Sequence, residues 1–353
     1  MEDTSMPSPC QSMLWELVTE EEWELPHHNR HLRDAEESPE KQALKRTAQE
    51  TNDVVSSLLK HLHTKSHASS STKFSSKSMR FLKSNNCPAF EFPATIKVVN
   101  EDTLNVAVNL VSSAAALPVC RGHPNPRPMI INFASHRKPG GGWLNGAMAQ
   151  EESICYRSSL ALSLHASHYP LALDELIYSP YVLVMRSDLK SGHNLLSPRK
   201  APEDLPVVSA VTVAALFRPA LRTAGVENFQ KWQRGHNTRS HYTVDRSTSS
   251  PPDSPWPTDQ VFGRERDRDL TKIKMKFALR IAAMNNHVTL VLGAMGCGVY
   301  GNPPNEIAKC WLEVLQDKEF YGNWWHEVYF AVYDPMSNGN FATFKQVLDG
   351  QKV

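Results

Sequence analysis

The sequence lacks an excess of charge of either sign. Its 353 residues include 38 Lys and Arg against 37 Asp and Glu, a formal net charge of +1. A balanced chain gives no global electrostatic argument for binding nucleic acid or an anionic membrane. No apolar run approaches the roughly 20 residues that a membrane helix needs, and the acidic, polar start MEDTSMPSPC does not resemble a secretory signal. We therefore expect a soluble intracellular protein, cytoplasmic or nuclear, with no membrane partner.

Metal-site patterns are lacking as well. The six cysteines, at positions 10, 87, 120, 155, 297 and 310, include no pair with CxxC spacing. His61, His63 and His67 lie close together, but no further type of ligand accompanies them, so a solvated His-rich loop is the favoured interpretation. We expect reduced thiols, no metal and no redox cofactor.

Apolar segments typical of strands alternate along the chain with amphipathic segments typical of helices. The apolar segments span residues 95–99, 129–134, 181–186, 207–215, 288–293 and 328–334. Helical periodicity is found in residues 103–115, 147–164, 270–284 and 305–315. This alternation predicts a mixed α/β sheet with helices on both faces.

Composition divides the chain into a tail and one domain. Residues 1–43 are polar, charged and interrupted by four prolines, which predicts a weakly ordered tail. Residues 44–353 are expected to form one domain that begins with an amphipathic helix. Within it, the Ser- and Pro-rich residues 225–269 break the alternation and predict a long, largely disordered insertion. Its Arg and His residues leave contact with a polyanion open, although a solvated linker is favoured.

The most informative segment joins three glycines to a pair of carboxylates. Gly140, Gly141 and Gly142 are followed, after seven residues, by Gln150, Glu151 and Glu152. Consecutive glycines let the backbone approach a ligand with its N–H groups exposed. The segment begins at the end of a predicted strand and finishes at the start of a predicted helix, where open α/β sheets bind ligands. Acidic residues are common in a first helical turn, but the adjacent glycines favour a functional pair.

This segment resembles the GGG–spacer–QEE signature of poly(ADP-ribose) glycohydrolases, most closely that of the bacterial or microbial branch. The resemblance implies a macrodomain-like, three-layer α/β/α fold with a mixed central sheet and an extra N-terminal helix. It also implies a monomeric hydrolase that cleaves ribose–ribose O-glycosidic bonds, with poly(ADP-ribose) or ADP-ribosylated proteins as partners and without a cofactor. The substrate-binding residues implied in this half of the chain are Asn132, Ala134, Gly140, Gly141, Gly142 and Gln150, with Asn132 contacting a ribose.

A second glycine-rich loop follows the apolar segment 288–293. It resembles the G-x-G-x-F-G-N-P run of the same family, with a tyrosine in place of the phenylalanine. The resemblance implies that this loop binds the diphosphate and the distal ribose. The residues implied are Gly296, Cys297, Gly298, Val299, Tyr300, Gly301 and Asn302. No His or Asp is tied to Cys297 in the sequence, so a small residue in a tight loop is favoured over a nucleophile.

The same loop also matches the dinucleotide fingerprint of a Rossmann fold, G-x-G-x-x-G. That rival interpretation fits poorly, because the acidic residue it requires would be Asp334, which lies 33 positions after Gly301. The usual interval is about 20. A macrodomain, with its last ligand-binding strand near the end of the domain, fits better.

Adjacent residues of a helix diverge by about 100° around its axis, so Glu151 and Glu152 are expected to play different roles. Cleaving a glycosidic bond needs an acid for the leaving oxygen and a base for water, and one carboxyl can serve both steps in turn. The family resemblance assigns this role to Glu152 and the holding of ribose hydroxyls to Glu151. A helix N-terminus lowers the pKa of a carboxyl, whereas a general acid needs a raised pKa; desolvation and the substrate's diphosphate would both raise it.

Two other functions stay open at the level of the sequence. Removal of single ADP-ribose units from protein or nucleic acid would use the same glycine loops. A non-catalytic ADP-ribose reader would use them too, but a reader has no need for the second carboxylate, so the intact Gln150, Glu151 and Glu152 disfavour it.

Overall fold

The computed structural model of the protein describes residues 37–115, 120–224 and 260–353. Its helices are α1 (Pro39–His61), α2 (Lys65–Ala68), α3 (Thr103–Ala115), α4 (Gln150–Arg157), α5 (Leu160–Ser163), α6 (Glu265–Met284), α7 (Pro304–Leu315) and α8 (Asn340–Leu348). Its strands are β1 (Thr72–Phe74), β2 (Ile96–Val99), β3 (Met129–Phe133), β4 (Leu176–Leu183), β5 (Val207–Val213), β6 (Leu221–Thr223), β7 (Gln260–Phe262), β8 (Thr289–Leu292) and β9 (Glu327–Ala331). None of the helices in these ranges combines the length and apolar character that spanning a membrane requires.

Seven of these strands form one mixed sheet in the order β1-β4-β5-β3-β8-β9-β2. Neighbours from β5 to β2 are parallel, whereas β4 pairs antiparallel with β5 and β1 pairs antiparallel with β4. The parallel strands therefore end at one edge of the sheet. The two glycine-rich loops follow β3 and β8, which are neighbours at the centre, so both loops begin at that edge.

Helices cover both faces of the sheet, so its central strands are apolar on both sides. Met129 and Ile131 of β3 belong to a buried cluster with residues of α6, α7 and α8. Ile130, between them, belongs to a second cluster with residues of α1, α3 and α4. This period of two, typical of a strand buried on both faces, confirms the predicted three-layer α/β/α fold with a mixed central sheet.

The predicted strands overlap observed ones, but one was placed too late in the chain. The strand predicted at residues 181–186 is β4, which begins at Leu176 and contains Pro180. A proline normally ends a strand in sequence interpretation; here a register shift between Ser179 and Val182 accommodates it in the pairing with β5. The short polar strand β1 and the helix α8 were not predicted.

The helix predicted at residues 147–164 is two helices, α4 and α5. Ser158 between them is extended and forms a bridge with Val184, while its hydroxyl donates to the carbonyl of Ile154 at 2.7 Å. The next residue, Ser159, exchanges hydrogen bonds with the backbone of Leu183. Two serines thus break the helix by docking on the end of β4.

Two predicted boundaries are wrong by several residues. Helix α1 begins at Pro39, with the Ser38 hydroxyl accepting from the N–H of Lys41, so residues 39–43 belong to the domain and not to the tail. The predicted insertion 225–269 also ends too late, because β7 pairs with β6 and α6 already begins at Glu265. The first turn of α6 is Glu-Arg-Asp-Arg, which carries no apolar periodicity to reveal it. Residues 1–36 and 225–259 lie outside the described residues.

The predicted N-terminal helix is present and packs against the first glycine-rich loop. The hydroxyl of Thr51 in α1 donates to the carbonyl of Tyr156 in α4 at 2.8 Å. Gly146, at the end of the loop, has φ +76° and lies so close to α1 that a Cβ would be 2.7 Å from the backbone oxygen of Lys41. Helix α1 therefore lies directly against the end of this loop.

Gly146→Ala should reduce the free energy of unfolding more than Gly350→Ala does. Both glycines have a left-handed φ, +76° and +78°, so both variants carry the backbone cost of roughly 1–2 kcal/mol. Only Gly146 also meets α1, whereas a Cβ at Gly350 meets nothing within 4 Å. Urea denaturation of the two variants measures the difference; equal losses would show that α1 does not press on the loop.

Candidate active site

The site lies where β3 and β8 stop pairing. Their ladder covers only Met129 and Ile130 of β3. Beyond it, on the same side of β3, the side-chain amide of Gln150 accepts from the N–H of Phe133 at 2.7 Å and donates to the carbonyl of Ile131 at 2.7 Å. Gln150 thus takes the place of a strand residue opposite Asn132. Its predicted contact with substrate stays a prediction; in the structure, its amide fixes the start of α4 to the sheet.

Glu151 is buried at the carboxyl end of β3, with 2% of its surface exposed. Its Oε2 accepts from the N–H of Ser135 at 2.7 Å, and its Oε1 accepts from Nδ2 of Asn132 at 3.4 Å. Burial raises the pKa of Glu151 from 4.5 to about 8; the neighbouring charge of Glu152 adds to the rise, and the hydrogen bonds from Ser135 and Asn132 oppose it. Burial thus favours the protonated, uncharged form of Glu151.

Glu152 faces the first glycine-rich loop. Its Oε1 accepts from the N–H of Gly142 at 2.8 Å, and its Oε2 accepts from the N–H of Ala149 at 3.2 Å. The bond to Ala149 is one half of a capping box; the other half is absent because Ala149 has no side-chain oxygen. Glu152 thus caps its own helix through Oε2, in agreement with the interpretation of the acidic pair as part of a first helical turn. Its Oε1 instead accepts from the first glycine-rich loop. The two glutamates have different surroundings, as their positions on the helix predicted.

Gly141 makes room for both carboxyl groups. Its φ is +57°, and a Cβ at this position would lie 3.0 Å from Oε2 of Glu151 and still closer to Oε1 of Glu152. Any side chain here would displace the glutamates, so the glycine is required by sterics as well as by backbone conformation. Gly140 is confined in turn by the ring of Trp143, 2.7 Å from its ideal Cβ.

The second glycine-rich loop contacts the residue that follows β3. The Tyr300 hydroxyl lies 3.5 Å from the carbonyl of Ala134, and its ring packs edge-on against Phe217 with 5.0 Å between centroids. A Cβ at Gly298 or Gly301 would meet nothing within 4 Å, and Val299 is 71% exposed. This part of the loop therefore borders open space, as a ligand-binding loop requires.

Three further residues of the loop face inwards. Asn302 is buried, and its Nδ2 donates to the carbonyls of Leu216 and Gly296 at 2.7 and 3.2 Å, so its side chain shapes the loop. Gly296 lies against that amide, and a Cβ there would also be 2.6 Å from Ala215. The Cys297 thiol is buried and burial raises its pKa, which keeps it protonated and unreactive. Substrate contacts of these three residues stay predictions and would use their backbone groups.

Asp334 has a structural role that excludes the Rossmann interpretation. Its carboxylate accepts from the backbone N–H groups of Asn338, Gly339 and Phe341, which caps the start of α8. Both oxygens of this carboxylate are thus engaged with backbone N–H groups at the start of α8.

Sequence interpretation missed the polar residues that support the site. Asp102 caps α3 and pairs with the buried Arg157 at the end of α4. The Tyr156 hydroxyl lies 2.8 and 2.9 Å from the carbonyl oxygens of Trp143 and Ala147 in the first loop, and its single proton is shared between them. Thr212 of β5 accepts from Nδ2 of Asn132 at 3.2 Å. No local motif marks these residues; they could be found only from the fold.

Comparisons with known proteins found one matching family model and several similar solved structures. Residues 40–187 match the family model described as microbial-type PARG, catalytic domain. Similar solved structures include the poly(ADP-ribose) glycohydrolase (PARG) from Thermomonospora curvata, with a TM-score of 0.58 and 24% identity over 86% of this chain and 99% of that one. The PARG from Deinococcus radiodurans in complex with ADP-ribose has a TM-score of 0.54 and 24% identity over 80% of this chain and 96% of that one. No curated protein matches the sequence. The resemblance inferred from the signature is confirmed, and the solved structures confirm the fold.

The free energy of unfolding of Glu151→Gln, relative to that of the wild type, should increase as the pH rises from 4.5 to about 8. A carboxyl whose pKa is raised on folding binds its proton more tightly in the native state, so stability falls with rising pH across that window, by at most about 1.4 kcal/mol per unit. Glutamine does not titrate and lacks this loss. Thermal unfolding at several pH values measures the difference, with Glu91→Gln at an exposed position as control. A difference that does not change with pH would contradict the raised pKa.

Proposed function

We propose that this chain, whose residues 40–187 match the family model of the microbial-type PARG catalytic domain, hydrolyses the ribose–ribose O-glycosidic bonds of poly(ADP-ribose) and releases ADP-ribose. The observation that carries the proposal is the pair of adjacent, buried carboxyl groups at the end of β3, one facing Asn132 and one facing the first glycine-rich loop. Both glycine-rich loops follow neighbouring parallel strands and begin at the same edge of the sheet, which would let one ligand contact both.

In the proposed reaction, Glu152 acts as the general acid and then as the general base. It protonates the leaving ribose oxygen as the glycosidic bond breaks, and the resulting oxocarbenium-like centre is attacked by water. The Glu152 carboxylate takes the proton from that water, which returns the acid form. Its position supports the role: Glu152 lies beside the glycine loop and is more exposed than Glu151, 8% against 2%.

Glu151 and Asn132 are proposed to hold the ribose. Glu151 keeps a raised pKa, so it can donate a hydrogen bond to a sugar oxygen as an acid or accept one as a carboxylate. The second loop is proposed to bind the diphosphate through backbone N–H groups beside Gly298, where a Cβ would meet nothing within 4 Å. Tyr300 would then pack on the distal ribose.

Glu152→Gln should lose about 10²–10⁴-fold in turnover while ADP-ribose binding stays within a few-fold, because the amide preserves size but cannot transfer the proton. Purified protein is incubated with poly(ADP-ribose) and, in parallel, with a mono-ADP-ribosylated peptide, and released ADP-ribose is measured by chromatography. Glu306→Gln is the matched control, since Glu306 is also 8% exposed and lies in the first turn of α7, outside the site.

The outcomes separate the candidate functions. Release from polymer by the wild type supports the proposal. Release from the peptide alone would replace it with mono-ADP-ribosyl hydrolysis, and binding without turnover of either would make the protein a reader. Wild-type turnover in Glu152→Gln would refute the assignment of Glu152.

Gly298→Val should abolish ADP-ribose binding without changing the stability of the protein. The backbone at Gly298 is not left-handed and its Cβ position is open, so the free protein accommodates valine. A bound diphosphate would require that same space for close approach to the backbone. Calorimetry measures binding, and circular dichroism checks the fold. Undiminished binding would place the diphosphate elsewhere.

A further inference from the structure

Asn132 lies at the centre of the site, completely buried, with one end of its side chain engaged. Its Nδ2 donates to Oγ1 of Thr212 at 3.2 Å and to Oε1 of Glu151 at 3.4 Å. Its Oδ1 has no hydrogen-bond partner among the described residues. An amide nitrogen carries two N–H bonds, and these two acceptors use both. The oxygen is therefore the end of Asn132 left to accept a hydrogen bond.

Thr212 stands directly opposite Asn132 in the pairing of β3 with β5, and it is also completely buried. Its β-branched side chain is confined at χ1, so the hydroxyl has a fixed place beside the amide. The contact joins two central strands of the sheet, where the backbone is least free to adjust. A buried hydroxyl is unfavourable unless it is hydrogen-bonded, so a valine of the same shape would serve better if packing were the only requirement.

We propose that Thr212 is a positioning residue, which holds the amide of Asn132 so that its Oδ1 accepts from a substrate ribose hydroxyl. This inference rests on the proposed function, because it takes the ribose of an ADP-ribose unit as the ligand. Without the hydroxyl, one amide N–H is left buried without an acceptor, and the amide turns away from the substrate to find another. Thr212 thus acts on the substrate through Asn132 and touches no reacting atom itself.

Thr289 on β8 provides the matched control. It is a threonine on a central strand of the same sheet and is equally buried, but its Oγ1 has no partner within the described residues. Replacing it with valine removes a buried hydroxyl without removing a contact. Thr212→Val and Thr289→Val therefore make the same chemical change, and only the first alters the environment of Asn132.

The test measures ADP-ribose affinity by calorimetry and kcat and KM for polymer hydrolysis. Thr212→Val should lower affinity and kcat/KM by about 10-fold, the order of one hydrogen bond, while Thr289→Val leaves both unchanged. If Thr212→Val does not fold, Thr212→Ser and Thr212→Ala are compared instead. Both variants lose the methyl group of threonine, and they differ from each other only in the hydroxyl. Thr212→Ser should therefore keep the activity that Thr212→Ala loses. In an Asn132→Ala background, Thr212→Val should have no further effect.

The orientation of Asn132 is measured independently of ligand by the NMR signals of its side-chain amide, identified by their loss in Asn132→Ala. Hydrogen exchange of this NH₂ group should be slow in the wild type and at least 10-fold faster in Thr212→Val. Unchanged exchange, or full and additive effects of the two substitutions on kcat/KM, would overturn the inference. If exchange responds but the wild type neither binds nor cleaves ADP-ribose compounds, the contact stands and the proposed function and ligand are wrong.

Discussion

The site depends on two hydrogen bonds made by one side-chain amide. Past Ile130, β8 no longer supplies partners to β3, and the amide of Gln150 supplies them instead, to Ile131 and Phe133. Buried backbone groups must be paired, so this end of β3 can separate from β8 only because a helix brings an amide to it. Glu151 and Glu152 follow Gln150 directly, and their positions are set by the same anchor. The opening in the sheet and the placement of the two carboxyl groups thus have one origin.

Burial outweighs the helix N-terminus at Glu151. A helix terminus stabilises a carboxylate by about 0.3–1 kcal/mol at the surface and up to about 2 when partly buried. A rise in pKa from 4.5 to about 8 corresponds to several kcal/mol in the opposite direction, at about 1.4 kcal/mol per unit. At Glu151, the more deeply buried of the two glutamates, burial therefore outweighs the helix terminus.

The alternation of strands and helices and the two glycine loops could be predicted from the sequence, because periodicity and glycine spacing are local signals. Pro180 concealed half of β4, and two serines divided a helix whose apolar spacing looked continuous. The roles of Gln150 and Asn302 could not be foreseen, since nothing local distinguishes an amide that binds substrate from one that binds backbone. Thr212, Asp102 and Arg157 became visible only when the fold brought distant parts of the chain together.

The short pair β6 and β7 has a consequence for how this fold can vary. Thr223 and Gln260 are paired across the two strands, so the two ends of the intervening segment are held side by side. The entropic cost of closing a chain segment between fixed ends rises only slowly, by about 0.6 kcal/mol for each doubling of its length. The segment between Thr223 and Gln260 can therefore gain or lose residues during evolution at little cost to the free energy of unfolding. This pair of strands is a position at which the fold tolerates insertions.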